Sequence, residues 1–555
     1  MRQRSPLVAP SAPAVPTPVH LAPVMANTDV MSWLGRLGGR PGSGPGPGDG
    51  FGDRPLRLAR TAALGLLAML CITLGALLGG RSYETHLPGA WFFGMPGGPL
   101  GSLGSNGIHP PIYAAILVFG GLILLTRIWL GLLRALSARP GFPVKKVVLV
   151  VAIWAVPLLL APPLFSRDVY SYAGQGEMVS HHIDPYVYGT GVLGSTPFSS
   201  MPDTVWTNTP SPYGPTFLSI DGVLDSASGH QILPDIVLLR LLELAGLALV
   251  IAATPTLARA MGRDPAETVL LAAGSPLVLI TLIGGAHNEA LMLGLLMAGL
   301  AVARRFGTVP GIILCALAAG VKSPAALGVL FLGWLWAGAG ASFWRRVVHT
   351  AAAGVIGLST MQVVAAVSGT GWGWLRTSTA ADQSFTGVTP IDALARFVSV
   401  VANVVNLHVP VLGARTVFSV VGLLCAGGIG IWLLLRSPEE GVSRTLGLTL
   451  LVVAVLGPIL WAWYITWGLI VLAPAASRKL RLALIAVSTF ELFVGASSVR
   501  GFYQTLVSAG LLATLVLAAA LLAVAIVPLA QFGRTPRTKA IAPSEPDRLV
   551  MELST

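Results

Sequence analysis

The chain has 555 residues, 54% of them hydrophobic and only 10% charged, with a mean hydropathy of +0.76. Soluble domains carry about 25% charged residues, so this composition excludes a cytosolic globular enzyme, and the same apolar content excludes disorder for most of the chain. The net charge of +12 does not point to nucleic acid: the basic residues flank apolar runs, and no continuous basic face with interleaved aromatics is present.

Residues 1–55 are rich in Pro, Gly and Ser and read as a disordered cytoplasmic tail. A cleaved leader is not expected, because no early apolar core follows the basic start. The first apolar run, Thr61–Gly80, follows Arg54, Arg57 and Arg60, which places the N-terminus inside. From there the apolar runs predict an all-α polytopic membrane protein with about 14 (12–14) transmembrane helices. They fall near 61–80, 111–130, 147–165, 232–257, 267–285, 290–303, 309–321, 324–338, 347–367, 413–435, 446–461, 463–476, 482–498 and 505–529. The runs around 267–303, 309–338 and 446–476 are shorter than the roughly 20 residues of a straight span, which suits tilted pairs or half-helices. The transmembrane domain occupies 56–530, and a second cytoplasmic tail 531–555.

In this topology the cytoplasmic loops and both tails hold 27 of the 35 Lys and Arg residues. Two outer loops, 166–231 and 368–412, exceed the about 12–15 residues of an ordinary connection and read as functional. Cys71, Cys315 and Cys425 all lie inside apolar runs and read as buried small residues, without a disulfide framework. No internal repeat is evident, which weakens a transporter reading.

The first outer loop opens with SRDVYSYAGQGEMVSHHIDPYVYG, Ser166 to Gly189. Ser166 can cap a helix whose first turn carries Asp168, and helical spacing stacks Asp168, Tyr172 and Gln175 on one face. Gly174 and Gly176 permit close approach of another surface. A carboxylate among aromatic rings at the membrane surface suits a general base for a sugar hydroxyl, with Arg167 helping to keep it ionised. The plainer reading is an interfacial helix with an acidic cap. Downstream, NTPSPYGPTF sets Tyr213 in rigid turns, and Asp221 and Asp225 follow at helical spacing, suited to binding acceptor or metal or, more plainly, to solvating one face of a surface helix.

GGAHNEALM (Gly284–Met292) puts His287, Asn288 and Glu289 at the junction of two short spans. Three tandem residues cannot all face one point on a helix, so hydrogen bonding to sugar or phosphate is favoured over a metal, with an interfacial cap as the plainer reading. AAGVKSPAAL (Ala318–Leu327) sets Lys322 before a segment beginning at Pro324, an arrangement suited to an anion or, more plainly, to snorkelling. GWGWLRTSTAADQSF, PILWAWYITW and SSVRGFY bring Arg376, Arg500 and several aromatics to the same outer side. Arg240 and Glu243 are expected to pair on one helix.

The SRDVYSYAGQGEM…HHIDPYVYG block, the YGP turn, GAHNEALM and AAGVKSPAAL together resemble the actinobacterial polyprenol-phosphate-mannose-dependent α-(1→6)-mannosyltransferases of lipomannan and lipoarabinomannan synthesis, which belong to the GT-C superfamily. The resemblance covers roughly 60–530. It implies a cell-membrane enzyme of the envelope with both termini cytoplasmic and its active site on the periplasmic face. Mannose would move from polyprenyl-phosphate-mannose to the 6-hydroxyl of a mannosylated phosphatidylinositol or mannan glycolipid, with inversion and with Asp168 as base. Lys322 matches a recurrent family feature. With Arg376 and Arg500 it is assigned to the donor phosphate, and Arg167, Tyr172, Gln175, Tyr213, His287, Asn288 and Glu289 to substrate. No cofactor is expected and no metal ligand is assigned, since no DxD pair stands at Asp168 and the leaving group is a monophosphate. GT-C folds place the catalytic loop earlier in the chain, a departure that an added N-terminal pair of spans explains. The competing class is a glycolipid or polyprenyl-sugar flippase, which would concentrate its ionisable residues near the midplane of two repeated halves.

Overall fold

The structure is a computed structural model, and it describes residues 58–79, 112–377, 389–404, 407, 409–495, 510 and 519. Both tails, Arg500 and all of the last expected span but residues 510 and 519 lie outside the described residues. The described residues are all-helical, with 81% helix and no strand among them. Three helices precede the first long loop: α1 (Leu58–Gly79), α2 (Ile112–Ser137) and α3 (Val144–Leu160). The helix α1 packs along α2 and also touches α3. The loop carries α4 (Asp168–Ser180) and α5 (Pro215–Ser228), which lie against each other. Then come α6 (Ile232–Ala260), α7 (Pro265–Ala272) and α8 (Pro276–Gly284), the last two bent by 43° at a break where Ser275 and Pro276 interrupt the ladder.

The helices α9 (Glu289–Phe306), α10 (Thr308–Val321) and α11 (Ala326–Trp336) are short, and Lys322 stands in extended backbone between the last two. They are followed by α12 (Phe343–Ser368), α13 (Pro390–Val404), α14 (Val411–Glu440), α15 (Val442–Leu456), α16 (Ile465–Leu472) and α17 (Arg478–Phe490).

Helices therefore occur at each expected apolar run within the described residues, but few are full spans. Five are long and apolar enough to cross a membrane, or six if α7 and α8 count as one broken span. The expected figure of about 14 counted every short helix as a crossing. On α12 and α14 large apolar side chains such as Val363, Leu424 and Trp432 remain exposed, as lipid-facing surfaces require. Of the cysteines, Cys315 is buried as expected, whereas Cys71 is only half-buried and Cys425 points outward from α14.

Two features fix the interior. The first is the crossing of α6 and α9, where Gly246 and Gly294 face each other. A Cβ on Gly294 would lie 2.3 Å from the Gly246 carbonyl oxygen, so neither helix tolerates a side chain there. The second is a pair of buried charges on α6. Arg240, 1% exposed, donates Nη1 to the carbonyls of Leu159 (3.2 Å) and Ala161 (2.6 Å) and Nη2 to that of Gly284 (3.4 Å). Leu164 N–H donates to the same Gly284 carbonyl at 2.9 Å. Glu243 Oε2 accepts the Leu291 N–H at 2.9 Å, an otherwise unpaired donor in the first turn of α9. Arg240 and Glu243 are thus not the expected ion pair. The cation closes the carbonyl ends of α3 and α8, where the helix dipole favours its sign, and the Glu243 carboxyl accepts a hydrogen bond at the amide end of α9. At another junction, Glu267 of α7 accepts from Ser137 Oγ (2.6 Å) and pairs with Arg481 of α17.

Replacing Arg240 with Met is expected to leave carbonyls unpaired in an apolar interior, at a cost of about 1–3 kcal/mol for each such group. The thermal midpoint of the detergent-solubilised chain should fall by several degrees, with Arg240→Lys recovering part of the loss. An unchanged midpoint in Arg240→Met would show that these carbonyls do not depend on it.

Candidate active site

The segment leading into α4 is held by the contacts just described. Phe165 takes a left-handed φ of 60°, and Ser166 Oγ then accepts the Asp168 N–H at 3.2 Å. The N-cap position is Arg167 rather than the expected Ser166, which holds the first amide of the helix from one residue further back, and Asp168 stands in the first turn. Close approach of α5 follows from Gly176, where a Cβ would meet the Asp221 carbonyl at 2.9 Å.

The turn before α9 aims two side chains at Asp168. It is not helical: Ala286 takes a φ of 52°, and the helix begins only at Glu289. His287 and Glu289 consequently serve one site, which tandem positions on a continuous helix would not allow. His287 Nε2 lies 3.6 Å from Asp168 Oδ2, while its Nδ1 is 2.6 Å from the Thr281 carbonyl, an acceptor only. That bond places a proton on Nδ1 and turns Nε2 to the carboxylate. The imidazole stacks on Trp463 (centroids 3.9 Å apart), which stacks in turn on Trp461 at 5.0 Å.

Glu289 pairs with Lys322, whose ammonium sits over the rings of Tyr464 (4.7 Å), Tyr213 (5.7 Å) and Trp467 (5.9 Å). Tyr213 meets Tyr172 edge-on at 5.2 Å, and both meet Phe217. Asp168 keeps 20% of its side chain exposed in this setting. Burial raises its carboxyl above the ordinary 3.8, the charges of His287 and Lys322 lower it, and Glu289 raises it again. The result is an accessible carboxylate of raised basicity within a ring of aromatic faces, an arrangement able to take a proton from a hydroxyl.

Comparison with known proteins agrees with this chemistry. Residues 62–338 match the family model described as "Alpha-(1->6)-mannopyranosyltransferase, N-terminal domain", and 391–541 match "MptB C-terminal domain". Alpha-(1->6)-mannopyranosyltransferase A of Mycobacterium tuberculosis is 32% identical over 451 residues, covering 78% of this chain and 84% of the relative. The chain belongs to the alpha-(1->6)-mannopyranosyltransferase family. A probable alpha-(1->6)-mannopyranosyltransferase of Mycolicibacterium smegmatis is 32% identical over 66% of this chain and 72% of its own length. Alpha-(1->6)-mannopyranosyltransferase B of Corynebacterium glutamicum is 26% identical over 79% and 77%. No solved structure matches.

In this membrane-embedded mannosyltransferase, Asp168, Tyr172, Tyr213, His287, Glu289 and Lys322 converge, as their mutual electrostatic influence shows. The remaining candidates stand apart or act indirectly. Gln175 is buried, and its Oε1 accepts from Ser211 Oγ at 2.9 Å, so it holds the YGP turn. Asn288 is fully buried, its amide atoms without a hydrogen-bond partner. The groups that lower the Asp168 carboxyl are His287 and Lys322, whereas Arg167 acts on Tyr170. Arg376 is exposed on a short turn of helix, Trp374–Thr377, tied to the loop by a 2.6 Å bond from Thr377 Oγ1 to the Ser211 carbonyl. Asp221 and Asp225 are fully buried, not solvated, because α5 turns them toward α4 and α6.

Sequence reasoning missed the roles of Trp463, Tyr464 and Trp467. Their motif showed only that aromatics cluster; the turn Ala462–Tyr464 ahead of α16 decides which rings meet His287 and Lys322.

The acid limb of the kcat/KM profile should lie above the range of an ordinary carboxylate, activity being lost as pH falls through the raised Asp168 value. His287→Gln removes the largest influence lowering that value and should move the limb to higher pH. Glu289→Gln removes one that raises it and should move the limb to lower pH. Steady-state profiles of the two variants check the signs, and shifts in the same direction would contradict the arrangement.

Proposed function

We propose that the protein transfers mannose from polyprenyl-phosphate-mannose to the 6-hydroxyl of an α-(1→6)-mannan or mannosylated phosphatidylinositol acceptor, at the periplasmic face of a GT-C type fold. The observation that carries this reading is the partly exposed Asp168 carboxylate, raised by burial and faced by His287 and Lys322. In this reading Asp168 takes the proton of the acceptor hydroxyl as its oxygen attacks the anomeric carbon from the side opposite the phosphate. The β-phosphate donor then yields an α-linked product by inversion. Trp461, Trp463, Tyr213 and Tyr464 offer faces for the sugar rings and the acceptor chain.

The leaving group is a lipid monophosphate, and its developing charge is met by a fixed cation. Lys322 is the candidate at the centre. Its present partner Glu289 and its aromatic surround hold the ammonium in place, so that an arriving phosphate meets a pre-oriented charge. Arg376 and Arg500 are the further donor-side candidates. The transfer step needs no metal in this scheme. The transferase names of the relatives favour catalysis over carriage of a glycolipid across the membrane.

The reading is tested with purified protein, polyprenyl-phosphate-mannose and a short α-(1→6)-mannoside. Asp168→Asn should lower transfer by about 10²–10⁴-fold, the range for loss of a general base, with folding intact by thermal unfolding. Near-normal turnover would remove Asp168 from the role. Lys322→Gln should raise the KM for the donor and lower kcat while leaving the acceptor KM unchanged. An unchanged dependence on donor would assign Lys322 to packing alone.

A further inference from the structure

A second polar cluster lies at the other end of α4, nine residues or about 13 Å along the helix from Asp168. Glu177 and His181 are separated by one helical turn there and face the junction between α5 and α6. His230 Nδ1 reaches Glu177 Oε2 at 3.0 Å and Asp225 Oδ2 at 2.8 Å, and Ser180 Oγ donates to the same Asp225 oxygen at 2.6 Å. The His181 and His230 ring centroids are 4.9 Å apart, and one ligand atom from each of Glu177, His181 and His230 lies within 4.8 Å of the others. His181 Nδ1 is 3.0 Å from the Glu177 carbonyl, an arrangement that leaves Nε2 as the lone-pair nitrogen.

Acidic side chains outnumber cationic ones at this place. Asp221, Asp225 and Asp235 are each 0% exposed, and Glu177 keeps 15% of its side chain in solvent. Among the described residues the cationic partners of these four carboxyls are His181 and His230. Four carboxyls crowd against two imidazoles here, and a buried carboxyl is held in its charged form only where a cation meets it. Asp225 Oδ1 and both carboxyl oxygens of Asp235 are buried without a hydrogen-bond donor.

We propose that Glu177, His181, Asp225 and His230 bind a divalent transition-metal ion that staples the end of the Asp168 helix to the α5–α6 turn. Two imidazole nitrogens with two carboxylate oxygens suit a borderline ion such as Zn²⁺ or Mn²⁺, whereas Mg²⁺ and Ca²⁺ favour sites built of oxygen alone. Asp221 and Asp235 stand behind these residues as further buried carboxyls. The His230 backbone is already committed to this geometry, with a left-handed φ of 58° directly after Gly229 at 67°. The site goes beyond the transfer reaction. Its ion would fix the orientation of α4 and, through it, of Asp168, while touching no reacting atom.

The test uses the full chain in detergent, stripped with a chelator, and reads metal content by mass spectrometry and the thermal midpoint by intrinsic fluorescence. Neither readout depends on mannosyl transfer, so this proposal and the proposed reaction fail separately. Dialysis against micromolar Zn²⁺ or Mn²⁺ should load about one ion per chain and raise the midpoint by several degrees, with Mg²⁺ ineffective at the same concentration. The exposed single substitution His181→Gln should weaken loading at least tenfold, and His181→Gln with His230→Gln should abolish both loading and the shift. The proposal is overturned if the wild-type chain loads no ion and shows no shift with either metal, which would leave the carboxyls balanced by protons. It is overturned equally if the double variant retains the ion.

Discussion

The arrangement depends on two buried charges one turn apart on α6. Arg240 and Glu243 sit three residues apart in an apolar helix, where unpaired ions are very costly. Neither neutralises the other. Arg240 is compensated by the carbonyl ends of α3 and α8, and Glu243 by the amide end of α9. Helix ends carry partial charges and unpaired groups, so the guanidinium and the carboxyl each find their partners in the backbone. The consequence is positional. The chain leaving α3 enters the loop that begins with Ser166 and Asp168, and the chain between α8 and α9 carries His287 and Glu289. One helix thereby holds both halves of the candidate site.

Within the site, opposing influences on Asp168 are balanced. Withdrawal from water makes the carboxyl a stronger base but threatens to leave it protonated; His287 and Lys322 restore the ionised form, and Glu289 limits their effect. A carboxylate on the surface would be too weak a base, and one buried without cations would hold its proton. The aromatic stack of Trp461 and Trp463 restrains the imidazole, and the Thr281 carbonyl sets its tautomer, so the balance is built from fixed groups.

Much of this was legible in the sequence where local rules govern. Ser166 ahead of Asp168 announced a helix start, Gly176 announced a close approach, and the apolar runs marked the helices. Misreadings arose where tertiary packing decides. Helical spacing of Arg240 and Glu243 suggests a pair, but the broken helix α7–α8 supplies backbone partners that spacing cannot reveal. The GAHNE junction looked like part of a helix, whereas Ala286 at positive φ turns His287 and Glu289 to one side. Asp221 and Asp225 resemble a solvated stripe, and only the packing of α5 against α4 and α6 shows that the stripe faces protein. Hydropathy alone does not separate a 14-residue helix such as α10 from a full span, so the apolar runs marked the helices without fixing the number of crossings.

The central claim is that sugar transfer takes place between Asp168, His287 and Lys322. It is tested most directly by a cryo-electron microscopy structure of the full chain in a lipid nanodisc, with polyprenyl-phosphate-mannose and a short α-(1→6)-mannoside bound to the Asp168→Asn protein. The account predicts the acceptor 6-hydroxyl within about 2.6–3.2 Å of the residue-168 side chain and the donor phosphate beside the Lys322 ammonium. Donor and acceptor density meeting elsewhere, with residue 168 facing no hydroxyl, would contradict it.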